Sequence, residues 1–505
     1  MTSPSRRPIR NIVIAGGGTA GWMTAAGLSR FLREQPTTVT LVESDEIGTI
    51  GVGEASLTLL AHFNHMLGID EADFIRKTQA TFKLGIQFND WRHKGHSCFH
   101  PFGRYGQNID LCEFHHHWLR LRAAGQGGSL DDYNLNTVLA LGNRFSPPVK
   151  DLGSPLSGLA HAYHFDASLY ARYLRDYAEA RGITRVEGRI VEVHQQPESG
   201  FVTGLSLKDG QRIDGDLFID CSGFRGLLIE ETLKTGYVDW TGLLPCDRAV
   251  AVPSRRGDSP LTPYTRATAR EAGWQWRIPL QHRTGNGYIY ASGHISDDQA
   301  AQALLDTLDG EALADPRVIR FFTGRRAKAW NRNVVAIGLA AGFLEPLEST
   351  SIHLIQKGVV KLLQCLPDMD FAPSLADEFN RQTAFDYEDV RDFLVLHYKL
   401  TQREDTEFWR YNRHDTVSDS LRDRMELFAA TGRLFINEHE LFKTASWLAI
   451  LTGFGIEPRG YDPMADALPF ADVSHALIRM RTMIAQAAVQ QPDHAAFIAR
   501  HCAAH

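Results

Sequence analysis

The chain has 505 residues, 43% of them hydrophobic and 22% charged. That is enough to bury a large core and to build several modules of ~150 residues each. Lys and Arg number 53 against 60 Asp and Glu, a net charge of −7, so the basic footprint of a nucleic-acid binder is missing. The longest apolar run, at 334–344, falls short of the ~20 residues that cross a bilayer. Residues 1–10 carry three Arg without the apolar stretch of a signal sequence. Six Cys (98, 112, 221, 246, 365 and 502) lie far apart with no Cys-x-x-Cys pair, which points to a reduced, cytoplasmic setting away from membranes.

In chain order, residues 11–15 read as a buried strand that runs into Gly16-Gly-Gly18-Thr19-Ala20-Gly21 and then a helix over 21–32. Such a turn offers backbone N–H groups and a helix N-terminus to a pyrophosphate. A second strand over 38–43 ends in Glu43, placed to accept hydrogen bonds from an adenosine ribose. Gly16, Gly18, Thr19, Ala20, Gly21 and Glu43 are therefore candidate dinucleotide contacts, although the pattern alone does not separate FAD from NAD. Tyr163-His-Phe-Asp166 leads into an amphipathic helix ending near Gly182, and 186–195 reads as one strand. Residues 216–224 form a buried strand entering a glycine turn, and 333–338 another that ends at Gly338. Apolar residues at 379, 385, 390 and 393, with His397 and Leu400, recur at helical spacing over 372–400. The remainder is mostly helical, without internal repeats or low-complexity tracts.

Several segments between these elements carry chemistry. Thr81-Phe82-Lys83-Leu-Gly-Ile-Gln-Phe88 sets a Lys among packing residues, where a desolvated amine becomes a donor or nucleophile; the plainer reading is a surface charge. In Phe343-Leu-Glu345-Pro-Leu-Glu348-Ser-Thr350-Ser351-Ile-His-Leu a helix begins at the hydroxyl residues, and its free N–H groups suit a small anion. Glu348 could equally serve that helix end electrostatically, and Glu345 reads as a structural acid. Trp274-Gln-Trp276-Arg-Ile278-Pro279 places two indoles on one face of a strand, which core packing alone could explain. Phe99-His100-Pro-Phe102 is a short aromatic run that core packing alone could explain. His115-His116-His117 lacks a companion acid or Cys pattern and reads as structural or exposed, so no metal is expected.

The Gly-rich opening, the Lys83 segment, the Glu348–Ser351 segment and the Trp-x-Trp-x-Ile-Pro stretch together resemble the flavin-dependent halogenases of the tryptophan halogenase family, most clearly before residue 400 or so. The resemblance implies an α/β fold: a Rossmann-type, monooxygenase-like FAD module over 1–370, a mixed substrate sheet inserted at about 231–330, and a C-terminal helical module over 371–505 covering the substrate. It implies FAD, contacted also by Gly338, delivered as FADH2 by a separate flavin reductase through diffusion. A halide would lie on Thr350 and Ser351, where many relatives have Gly at the second position. Lys83 would relay hypohalous acid, and Glu348 would polarise it or take the ring proton. Trp274, Trp276, Ile278 and Pro279 would keep the organic substrate from the flavin, and His100 and Phe102 would hold the arene. Gly338 is followed by Leu339 where many such flavoproteins carry an Asp, which fits a loosely held, exchangeable flavin. The substrate is expected to be a small electron-rich arene, an indole, taking chloride or bromide; a homodimer stays open. Two alternatives remain: a two-component flavin hydroxylase and a non-catalytic flavin-binding protein.

Overall fold

The glycine-rich opening folds as its spacing predicts. In a computed structural model, which describes residues 7–46 and 53–504, strand Asn11–Ala15 turns into helix Thr19–Phe31, two residues ahead of the expected start. The strand lies at the centre of a six-stranded sheet, hydrogen-bonded in parallel to Thr38–Glu43 on one side and Leu217–Asp220 on the other. Thr184–Glu187 extends the sheet beyond Thr38–Glu43, and Val334–Ala336 and Trp330–Asn331 extend it beyond Leu217–Asp220. The near-continuous apolar runs at 12–15 and 217–219 are buried, as a parallel sheet requires. The single strand expected over 186–195 is two. Thr184–Glu187 joins this sheet, while Ile190–Gln195 pairs with Val202–Leu207 in a three-stranded antiparallel sheet. The break falls at Gly188, whose amide bonds to the Glu43 carbonyl at 2.8 Å and where a Cβ would press on Leu207 at 2.7 Å.

The chain divides into two units, each assembled from three stretches. One comprises Met1–Gln79, Phe165–Pro245 and Arg320–Glu388; the other comprises Ala80–His164, Cys246–Ile319 and Asp389–His505. Neither unit is one continuous stretch of chain. Residues 80–164 group with the later segments because Gly85–Asn89 pairs in parallel with Thr265–Ala269.

The second unit is built on a mixed seven-stranded sheet, ordered Arg317–Arg320, Arg248–Ser254, Thr284–Tyr290, Gly273–Pro279, Thr265–Ala269, Gly85–Asn89 and Ser97–Pro101. Its central strands are buried on both faces; on one of them Tyr288 and Tyr290 pack with Val250, Val252 and Leu304. The helical periodicity near 380–400 is realised as helix Pro373–Lys399, with Phe379, Val390, Phe393 and His397 buried. Helices Glu407–His414, Asp419–Thr431, Thr444–Gly453, Phe470–Val489 and His494–His501 follow.

Candidate active site

In the first unit the glycine turn is shaped by close approach. Gly16 has φ +113°, and a Cβ there would lie 2.4 Å from the Cys221 carbonyl oxygen. At Gly21 a Cβ would collide with the Gly16 carbonyl oxygen at 1.9 Å, whereas at Gly18 it would meet nothing within 4 Å. The open side of the turn thus lies at Gly18, beside the first amides of the helix. A cavity of about 190 Å3 adjoins it, lined by Gly17, Thr19, Trp22, Glu43, Arg172 and Arg175 among others. Glu43 accepts the Trp22 indole N–H at 3.3 Å and is ion-paired with Arg185. The cradle, the cavity and the acid at its wall fit the adenosine and pyrophosphate of a dinucleotide. Gly338 has φ +73° and packs on Ala20, where a Cβ would come within 2.7 Å.

The same unit carries the acid and anion segment. Pro346–Glu348 is a single 3-10 turn, Ser349 takes the left-handed conformation (φ 59°), and helix Ser351–Gln364 follows from Thr350. Glu348 is 1% exposed. Glu345 is buried as well, so burial does not distinguish the two acids. Thr350 is fully buried and its hydroxyl has no hydrogen-bond partner. A helix of 14 residues leaves its first amides without intrahelical acceptors. A helix N-terminus carries a partial positive charge, and here it is buried beside an unpartnered hydroxyl. His353, one turn in, is held neutral by burial, its pKa lowered to about 4.

In the second unit Lys83 is fully buried, and its Nζ stands 5.4 Å from the centre of the Phe102 ring. Its strand, Thr81–Lys83, pairs antiparallel with Ala162–Asp166, Thr81 opposite His164 and Lys83 opposite Ala162. Three residues that sequence patterns did not mark fix this strand. The Thr81 hydroxyl donates to the Pro279 carbonyl at 2.7 Å, which ties it to the end of the Trp strand. With that proton committed, His164 Nδ1–H donates to Thr81 Oγ1 at 3.1 Å and Nε2 accepts from Thr265 at 3.0 Å. Burial, together with the Lys83 charge, drives the His164 pKa well down, so the imidazole beside Lys83 is neutral. From the C-terminal helix, His494 Nε2 accepts the Phe82 amide at 3.2 Å while Nδ1–H donates to the Leu261 carbonyl at 2.7 Å. Phe82 also stacks on Phe145. No local pattern could announce contacts 198 and 412 residues apart.

Trp274 and Trp276 occupy strand Gly273–Pro279, both buried, with rings 6.2 Å apart. Trp276 lies over Gly287, where a Cβ would fall 2.1 Å from the indole. Ile278 is buried and Pro279 ends the strand. His100 lies in strand Ser97–Pro101 and Phe102 directly follows its end. His100 faces Phe393 at 5.8 Å and Phe442 at 6.4 Å; Phe393 in turn stacks on Phe442 and meets Trp447 edge-on. Arg424 lies 4.3 Å over the Trp447 ring and is bidentately paired with Glu440 at 2.8 and 3.0 Å.

The three adjacent histidines are buried rather than exposed. Helix Phe114–Ala123 is enclosed over most of its circumference, so even consecutive positions are covered. Ligand atoms of Glu113, His115 and His116 approach within 4.8 Å of one another. The first two histidines are, however, taken up by backbone. His115 Nε2 bonds to the Gly432 carbonyl at 2.9 Å, and His116 Nδ1 accepts the Asp462 amide at 3.2 Å. Desolvation lowers their pKa values to about 3 and about 4. The structural reading of the triplet accounts for these bonds.

A sequence model of the tryptophan halogenase family matches residues 11–470. The chain is 37% identical over 469 residues to a tryptophan 6-halogenase of Streptomyces toxytricini, covering 88% of this chain and 89% of that one. Among solved structures it is similar to a flavin-dependent halogenase from Brevundimonas sp. BAL3, with 49% identity, 97% of this chain and 99% of that one covered, and a TM-score of 0.94. A flavin-dependent halogenase from Xanthomonas campestris aligns at 47% identity over 99% of both chains, with a TM-score of 0.95.

Proposed function

Because the chain belongs to the tryptophan halogenase family, whose members are FADH2-dependent enzymes served by a separate flavin reductase, we propose that it halogenates an indole without an amino-acid head group, through Lys83. Reduced FAD, when bound, supplies with O2 the oxidation of halide to hypohalous acid; Gly16, Gly18, Thr19, Ala20, Gly21, Glu43 and Gly338 are the residues we assign to holding it. Thr350 and Ser351 hold chloride or bromide through their amides, and the unpartnered Thr350 hydroxyl adds a further donor. Lys83 receives hypohalous acid at Nζ, either by hydrogen bonding or by exchanging a proton for halogen with release of water. His100 and Phe102 hold the ring by stacking. Glu348 stabilises the cationic ring and takes the proton lost from the halogenated carbon. Trp274, Trp276, Ile278 and Pro279 exclude water and separate the arene from the oxidation.

The observation that carries this reading is the fully buried Lys83 amine beside the Phe102 ring, on a strand held by Thr81, His164 and His494. The substrate class rests on the surroundings of His100. Phe393 and Phe442 are apolar, Trp447 offers a single indole N–H, and helix Thr444–Gly453 contains no Tyr and no acid. The charges against Trp447, Arg424 and Glu440, already satisfy each other. The ammonium group of an amino acid buried there would lack an acidic partner, at a cost of several kcal/mol, whereas an indole carries no such group. Product masses from indole with a flavin reductase, in chloride, in bromide and without halide, test the proposal. Mass shifts that follow the halide are expected. A hydroxylated product independent of halide favours the hydroxylase alternative, and no product favours a binding protein.

A further inference from the structure

Beside the free edge of strand Ser97–Pro101, the second unit encloses a cavity of about 360 Å3. It opens between helix Phe114–Ala123 and the loop that follows helix Thr444–Gly453. Its size falls within the roughly 300–1,000 Å3 of small-molecule sites. Lys83, His100 and Phe102 do not line it. Phe99 does, and because neighbouring side chains alternate along a strand, that wall is distinct from the one His100 forms.

The walls combine aromatic side chains with unsatisfied polar groups. Phe99, Trp118 and Tyr461 supply aromatic surface. Tyr105 is 7% exposed, and its hydroxyl is buried with no hydrogen-bond partner. Nε of Arg92 is likewise buried and unpartnered. Arg92 reaches this position across Gly455 (φ +97°), where a Cβ would sit 2.4 Å from the guanidinium carbon. The charges do not cancel. Arg122 is paired with Glu457 at 3.1 Å. Arg92 and Arg459 have no ion-pair partner among the described residues and face one acid in the lining, Asp131. A buried donor pair, a surplus positive charge and flat aromatic walls call for a planar anion.

We propose that this cavity is a second ligand site, separate from the halogenation site, that takes an aromatic carboxylate: the ring lies among Phe99, Trp118 and Tyr461, and the carboxylate accepts from Arg92 and the Tyr105 hydroxyl, with Arg459 at the mouth. Titration calorimetry of the full-length protein with indole-3-carboxylate tests it without any dependence on turnover. Saturable binding is expected, with tryptamine, which carries a cation instead, at least ~10-fold weaker. Arg92→Gln should weaken indole-3-carboxylate ~10-fold or more, and Tyr105→Phe and Arg459→Gln by roughly three- to tenfold. His100→Ala should leave the affinity unchanged. Because Arg459 is exposed, its variant keeps the test valid should Arg92→Gln fail to fold. The proposal is overturned by absence of saturable binding, by equal affinity for tryptamine, or by indifference to the Tyr105 and Arg459 substitutions. Loss of binding in His100→Ala would also overturn it, since the carboxylate would then occupy the halogenation site.

Discussion

His494 ties the last helix to the strand that carries Lys83, and its protonation state sets the strength of that tie. Gln at this position keeps an acceptor for the Phe82 amide and a donor for the Leu261 carbonyl but cannot titrate. Burial lowers the His494 pKa from 6.5 to about 4. The unfolded chain therefore takes up the proton first, and stability falls as pH falls through this interval. The contribution of the neutral ring is whole above pH 6.5, declines by ~1.4 kcal/mol per pH unit below it, and levels off below pH 4, a total of about 3 kcal/mol. Urea unfolding of the wild type and His494→Gln at pH 7 and pH 4 measures this term. The other buried histidines titrate in both proteins and cancel. The wild type should lose about 3 kcal/mol more than the variant between the two pH values. Parallel losses in the two proteins would refute the idea that a neutral His494 holds this strand.

Lys83→Ala should abolish halogenated product while oxidation of reduced flavin by O2 continues, read by mass spectrometry alongside oxygen uptake; substantial product would remove Lys83 from the reaction. Glu348→Gln keeps the side-chain shape but not the base, so turnover should fall ~10²–10⁴-fold with FAD affinity intact, and near-normal turnover would leave Glu348 a structural acid. In Gly17→Ala the new Cβ would lie 1.5 Å from Glu43 Oε2, forcing that carboxylate aside. FAD affinity in a fluorescence titration should fall at least ~10-fold; an unchanged value would show that Glu43 does not help to hold the cofactor.

Local patterns carried the parts of the site that lie within one stretch of chain. The close turn at Gly16–Gly21 and the acid ending the second strand are short-range consequences of backbone geometry, and they stand where spacing puts them. The helix that starts at Ser351 is likewise announced by its hydroxyl residues. What spacing could not reveal is tertiary. Thr81 and His164 are ordinary strand residues until Pro279 and Thr265 are brought beside them. The single strand expected across 186–195 breaks at Gly188, which lies close to Leu207, a neighbour supplied by a strand further along the chain. The burial of His115, His116 and His117 depends on what covers their helix, which three adjacent polar letters do not specify.

The central claim, an indole halogenated through a site without an amino-acid head-group pocket, is tested most directly by competition. Equal concentrations of indole and tryptophan, with a flavin reductase, FAD, NADPH and bromide, are converted to low extent and the products quantified by mass spectrometry. Bromoindole is predicted to dominate. Predominant bromotryptophan would contradict the account, because it would require an acidic partner for the ammonium group that Phe393, Phe442 and Trp447 do not provide.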